Sequence, residues 1–203
     1  MKSRIAKRGI TRFDLGLAAL LLLGIGTWQI GAAGYIEGKA WLAQHLLDHA
    51  WKETLDGKRQ VKAWPWADTW PVASIEVPRL GVKEIVLADA GGEALAFGPE
   101  KIAGTADPGK AGTMVIAGHR DTHFKWLAEI QSRDRIIVTS ADGRRHIYEV
   151  SGGKVVLAHA SRLYEDDDQR ELALVTCWPL DAIQPGGEER YVVLATAVDD
   201  IGI

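Results

Sequence analysis

Three hydrophobic patterns succeed one another along the chain, and each predicts a different kind of element. Residues 15–36 carry no charged side chain and are apolar all round. Between residues 37 and 55 the apolar positions thin to a stripe of Leu42, Leu46, Leu47, Ala50 and Trp51. Steps of three and four predict an amphipathic helix, either prolonging the apolar run as a stalk or docking on the domain beyond it. Asp56-Gly57-Lys58-Arg59 ends it. Trp64-Pro65-Trp66-Ala67-Asp68-Thr69-Trp70-Pro71 then shows no period. Its two prolines forbid a regular helix, and its three tryptophans are too apolar for a free linker. An extended strap lying on the domain is expected, with an aromatic belt at a membrane interface as the other reading.

From Val72 onward short β-leaning runs alternate with turn residues. Residues 73–78 and 82–87 flank Arg79-Leu80-Gly81, and residues 135–139 and 145–150 flank Ala141-Asp142-Gly143; both read as hairpins. Further strands are expected over 113–117, 154–158, 172–177 and 191–198, with short helical turns over 93–96 and 124–130. Seven or eight short strands predict a mostly β domain, a small closed barrel or a sandwich. At 203 residues the chain suits one such domain plus an appendage. The expected division is a basic N-terminus over 1–14, an apolar span over 15–36, stalk and strap over 37–71, and the β domain over 72–203.

Charge gives the apolar span a direction. The net charge is −3, yet Lys2, Arg4, Lys7, Arg8 and Arg12 all precede the first carboxylate, Asp14. Beyond residue 14 remain 19 basic and 26 acidic residues, a net charge of −7. A 22-residue helix reaches about 33 Å, enough for a bilayer core. The basic flank belongs on the cytoplasmic side, which places the β domain outside. A cleaved signal peptide is the rival reading, with Ala32-Ala33-Gly34 as its cleavage region. Against it, the run exceeds the usual h-region of about 7–15 residues.

Export changes the meaning of Cys177, the only cysteine. A single thiol in an oxidising compartment has no intramolecular partner, so it is either a buried core residue or one kept for reactivity. Cys177 closes the run Leu172-Ala173-Leu174-Val175-Thr176, and Arg190 opens the next one, Tyr191-Val192-Val193-Leu194. Antiparallel pairing would set thiol and guanidinium side by side. His119 comes after the strand over 113–117. A thiolate attacks carbonyl carbon, an imidazole carries the proton, and a guanidinium holds an oxyanion. Cysteine, histidine and arginine together suit acyl transfer.

Other groups have weaker cases. His45 and His49 lie four apart on the predicted helix without a third ligand, and read as a polar face. His119 and His123 have zinc-site spacing only on a helix, whereas a loop is expected there. Asp121 either orients His119 or stabilises the turn. Residues 165–168, all acidic, either bind calcium or form a solvated loop. No metal, cofactor or nucleic-acid partner is expected.

Three segments carry a family resemblance: Val115-Ile116-Ala117-Gly118-His119-Arg120-Asp121-Thr122-His123-Phe124, Leu174-Val175-Thr176-Cys177 and Glu189-Arg190-Tyr191-Val192-Val193. They resemble the signature segments of sortases, the membrane-anchored cysteine transpeptidases. The likeness is to the class D-like and Gram-negative (class GN) members, and the tryptophan-proline strap and Val175-Thr176-Cys177-Trp178-Pro179-Leu180-Asp181-Ala182 are similar to the Gram-negative type. The likeness runs from about Trp41 to Val198; Ala173 departs from it where threonine is usual. It implies an eight-stranded sortase-type barrel and His119, Cys177 and Arg190 as catalytic residues. Ala117, Asp121, Thr176 and Trp178 would support them or line the substrate site. It further implies cleavage of a C-terminal sorting signal similar to Leu-Pro-x-Thr-Gly on a dedicated exported protein, through a thioester, with transfer to an amine. The enzyme would sit in the bacterial inner membrane by one span, its catalytic domain on the periplasmic side. Two rivals are an exported cysteine peptidase of papain-like type and a non-catalytic peptide-binding β-module. Papain-like enzymes place cysteine before histidine at a helix start, and binding alone needs no thiol.

Overall fold

A computed structural model describes residues 12–158, 169–182 and 186–198, with the side chains of all but 12–15 and 17–19. The acidic residues 165–168 therefore lie outside the described residues. The chain divides into two units between Leu42 and Ala43. The first contains the leading part of helix α1 (Arg12–Leu55). Its apolar side chains point outward in every direction: Leu20, Leu21, Leu22, Leu23, Ile25, Trp28 and Ile30 are 56–79% exposed. No helix of the described residues is long and apolar enough to cross a membrane.

The second unit holds the end of α1 and eight strands. These are β1 (Pro71–Val77), β2 (Val82–Ala88), β3 (Glu100–Lys101), β4 (Gly112–Ala117), β5 (Arg135–Ser140), β6 (Arg145–Leu157), β7 (Arg170–Cys177) and β8 (Glu189–Val198). They close in the order β1-β2-β3-β4-β7-β8-β6-β5. The barrel, not the sandwich, is the outcome. Strand alternation explains its filling. Ile75, Val77, Met114, Ile116, Ile136, Val138, Leu172, Leu174 and Val193 project into one core with Phe124, Trp126 and Tyr148.

Ala43, Leu47, Ala50, Trp51 and Thr54 form the buried face of the last turns of α1, whereas Leu42 is 51% exposed. The stripe is thus rotated slightly from the predicted one. Leu47 and Trp51 pack with Ile85, Leu87 and Ala94 on the outside of β2, so residues 43–55 dock. His49 faces Glu53 at 3.9 Å on the helix surface. The strap lies on the barrel through half-buried Trp64, buried Ala67 and Thr69, whose hydroxyl donates to the Ala88 carbonyl at 2.7 Å. Trp66 alone of its tryptophans is largely exposed.

Two strand predictions need correcting. The strands expected over 145–150 and 154–158 are one strand, β6, whose register with β8 shifts between Val150 and Gly152. Gly152-Gly153 marks a bulge there, not a break. A Cβ on Gly153 would lie 2.3 Å from the Tyr191 hydroxyl oxygen, so any larger residue there would have to push the Tyr191 ring aside. The two-residue β3 had no expectation attached to it; it pairs parallel to β2 and antiparallel to β4, and so bridges them.

Candidate active site

Parallel pairing of β4 and β7 brings two strand ends to the same rim of the barrel. Ala117 is the register partner of Val175, and the Gly118 N–H donates to the Val175 carbonyl at 3.0 Å. His119 thus leaves β4 beside the point where Cys177 ends β7. The antiparallel β7–β8 pair adds the third group, with Cys177 and Arg190 as direct register partners. The predicted pairing of Cys177 with Arg190 across the two strands is what the register shows.

Alternation then fixes which face of the barrel carries the thiol. Leu172 and Leu174 point inward, and Thr176 is buried beside the core. Ala173, Val175 and Cys177 therefore share the outer face, with Leu194, Val192 and Arg190 opposite them on β8. Val115, Ala173 and Val192 are buried on that face, with Ile102, Val156, Val175 and Leu194 packed around them. An apolar strip leads along the barrel wall to Cys177. The sequence signal for it was the unbroken run from Leu172 to Val175, apolar at both parities, as strands covered on both faces are. Ala173 is fully buried in that strip. The departure from threonine falls on packing, away from the reacting groups.

Local bonds hold the rim. The Thr176 hydroxyl donates to the Gly118 carbonyl at 2.7 Å, tying the residue before Cys177 to the residue before His119. A Cβ on Gly118 would sit 2.7 Å from the buried Phe124 ring, so that turn is packed too tightly for any larger residue. Trp178 is half-buried, 5.7 Å from the Tyr191 ring, and its N–H donates to the Glu189 carbonyl at 3.2 Å. The Trp178–Pro179 peptide is cis. His119 is exposed and Cys177 half-buried with a free thiol. The Arg190 Nη1 donates to the Gly187 and Glu189 carbonyls at 2.8 and 2.9 Å, which turns the guanidinium toward the β7–β8 loop.

The comparisons with known proteins bear on this arrangement directly. The sortase domain model matches residues 75–198, which takes in all three converging segments. The chain belongs to the sortase family. It is 24% identical to sortase D of Bacillus subtilis (strain 168) over 125 residues, 61% of this chain and 62% of that protein. Sortase A from Corynebacterium diphtheriae superimposes with a TM-score of 0.59 at 28% identity, covering 71% of this chain and 68% of the other. A Clostridium perfringens sortase D5 transpeptidase shares the fold, with a TM-score of 0.56 at 24% identity and coverage of 74% and 88%.

Within this sortase domain, Asp121 does not bond His119. Its carboxylate takes two hydrogen bonds from Arg120, Nε to Oδ1 at 2.8 Å and Nη2 to Oδ2 at 3.1 Å. Those bonds hold the Asp121 carboxyl below its ordinary range, helped by the Arg120 charge and by His119 nearby. Arg120 itself was not among the expected site residues. It is 4% exposed, and its Nη1 donates to the Pro179 carbonyl at 2.8 Å, bridging the histidine loop to the loop after the cysteine. His123 leaves the site altogether: its Nδ1 lies 3.1 Å from Glu84 Oε2 on β2, and residues 118–123 form no helix. Among the described residues no three of His, Cys, Asp and Glu gather as a metal site.

Proposed function

We propose that this chain is a membrane-anchored cysteine transpeptidase with Cys177 as its nucleophile. The observation that carries the reading is the register: Cys177 opposite Arg190, with His119 leaving the neighbouring parallel strand. A thiolate at Cys177 attacks the carbonyl of a Thr–Gly-type bond in a C-terminal sorting signal. The oxyanion that forms is held by Arg190, whose charge is permanent. Collapse breaks the C–N bond, His119 gives a proton to the departing amine, and a thioester remains on Cys177. An incoming amine, its proton taken by His119, then displaces the thiol and completes transfer. Water in its place would give hydrolysis.

Half-buried Val156, Val175 and Leu194, which border the buried strip of Val115, Ala173 and Val192, offer a seat for the apolar residues of an extended peptide ending at the thiol. The substrate is a dedicated exported protein with an LPxTG-like signal, and the similarity to sortase D supports a class D-like member. The charge-free run over residues 15–36, whose side chains at 15 and 17–19 are not described, and the basic residues ahead of it support a single inner-membrane span, with the barrel on the periplasmic side.

The test is turnover of a fluorescent sorting-signal peptide with and without a primary amine. Cleavage is expected in the parent chain, with amine diverting the acyl product. Cys177→Ala and His119→Ala should each fall by at least about 10³-fold, as removal of a nucleophile or its proton carrier does elsewhere. Full turnover by Cys177→Ala would overturn the reading.

A further inference from the structure

We propose that Arg120 is a positioning residue for the Cys177–His119 pair, fastening the two loops that carry them; the inference rests on the cysteine-nucleophile reading. Arg120 is the immediate neighbour of His119, yet the two side chains have opposite fates. His119 is exposed, while the Arg120 side chain is 3% exposed. Burying a guanidinium is costly unless its donors are satisfied, and a planar fork satisfies several acceptors only in one orientation. Asp121 takes the Nε and Nη2 edges, and the Pro179 carbonyl takes Nη1. Pro179 lies two residues beyond Cys177. The fork therefore spans from the residue after the histidine to the loop leaving the cysteine.

Its position complements the Thr176–Gly118 bond. That bond joins the two strands just before the reactive residues, and the Arg120–Pro179 bond joins the two loops just after them. Between them the two chains are pinned on both sides of the thiol–imidazole pair. A single pin leaves a hinge; two fix a separation.

The same placement surrounds the thiol with charge. His119, Arg120 and Asp121 come from the β4 loop, Asp181 from the loop after β7, and Glu189 and Arg190 from the start of β8. The Arg120 cation is strengthened first by Asp121, then by the negative forms of Cys177 and Asp181. Arg190, the register partner of Cys177, is a second cation at the rim. The Asp121 carboxylate, bound to the fork, orients Arg120, and this is its role at the rim.

Two readouts on the full chain in detergent separate this proposal from its premise. The rate of Cys177 alkylation by iodoacetamide at one fixed pH needs no substrate, whereas peptide turnover does. Arg120→Ala should change that rate by about two-fold or more, because the loop after Cys177 loses its tie to the histidine loop. It should also lower kcat by about ten-fold or more with KM within about two-fold, since a displaced pair loses rate while binding persists. Arg120→Lys keeps the charge but cannot hold both acceptors, so it should leave kcat low and the alkylation rate changed as in Arg120→Ala. It also carries the test where Arg120→Ala melts early. An Arg120→Ala chain with unchanged alkylation rate and kcat, or Arg120→Lys with full kcat, would overturn the positioning role. A parent chain that never turns over peptide would sink the transpeptidase reading, with the alkylation arm still deciding whether Arg120 sets the thiol.

Discussion

Single side chains at the barrel rim do more than supply reactive groups. Thr176 precedes the thiol, points inward, and spends its hydroxyl on the Gly118 carbonyl. Both atoms are buried, so loss of the donor leaves a carbonyl without its partner, at a cost of about 1–3 kcal/mol. Thr176→Val keeps the shape and removes the bond. Denaturant unfolding should show that loss of stability, and peptide turnover should fall with it, because the two strand ends lose one pin. A variant with parental stability and turnover would show that the bond is dispensable. Thr176 was expected at the site on resemblance alone; the bond gives the physical reason a hydroxyl is wanted.

Elements are joined by bonds of the same kind away from the site. The 3-10 turn Pro78–Leu80 closes the β1–β2 hairpin, with Gly81 in the left-handed region at φ 64°. Arg79 in that turn grips Asp134, the residue before β5, through both guanidinium edges, and its Nη2 also donates to the Glu129 carbonyl at 2.7 Å. The Arg79 hydrogen bond comes first among the causes that hold the Asp134 carboxyl below its ordinary range; the Gln131 N–H and the Arg79 charge add to it, and burial opposes them. A depressed carboxyl stabilises the fold above its unfolded pKa of about 3.9, and that share is lost as pH falls through the lower folded value. Thermal melting between about pH 7 and pH 2 should therefore show a steeper acid decline in the parent than in Asp134→Asn. Equal slopes would contradict the assignment. Asp89, Asp121 and Asp142 are depressed as well, so the difference between the two chains, and not the decline itself, is the measure.

How much of this was legible before the structure depends on whether the signal is periodic. Two consecutive β-leaning runs joined by one loop predict the Cys177–Arg190 pair, because antiparallel register comes from alternation and loop position. The hairpins around residues 79–81 and 141–143 were legible for the same reason. The phase of α1 was not: the buried face runs through Ala43 and Thr54, residues too small or too polar to stand out in a hydrophobic stripe. Nor was β3, whose two residues are too few to show a period. The Arg120 fork lay hidden because three bonds decide it, and none joins residues at a helical or strand spacing. Gly152-Gly153 reads as a break for want of its partner, since only Tyr191 across the sheet explains it.

At the scale of the molecule, the order of strands in the barrel places the site. β4 and β7 are parallel neighbours although 52 residues separate the end of one from the start of the next. That pairing is what sets the ends of both strands on one rim. The antiparallel β7–β8 pair then returns the chain past the same point. Three segments distant in sequence meet because β4, β7 and β8 are successive neighbours in the sheet, and the sortase domain match covers all three. The central claim is covalent, and intact-mass measurement tests it most directly. The parent chain, mixed with a sorting-signal peptide and quenched in acid without added amine, should gain the mass of the N-terminal peptide fragment at Cys177. Hydroxylamine should release that adduct, and Cys177→Ala should form none. An adduct on another residue, or cleavage of the peptide with no acyl-enzyme and full activity in Cys177→Ala, would contradict the account.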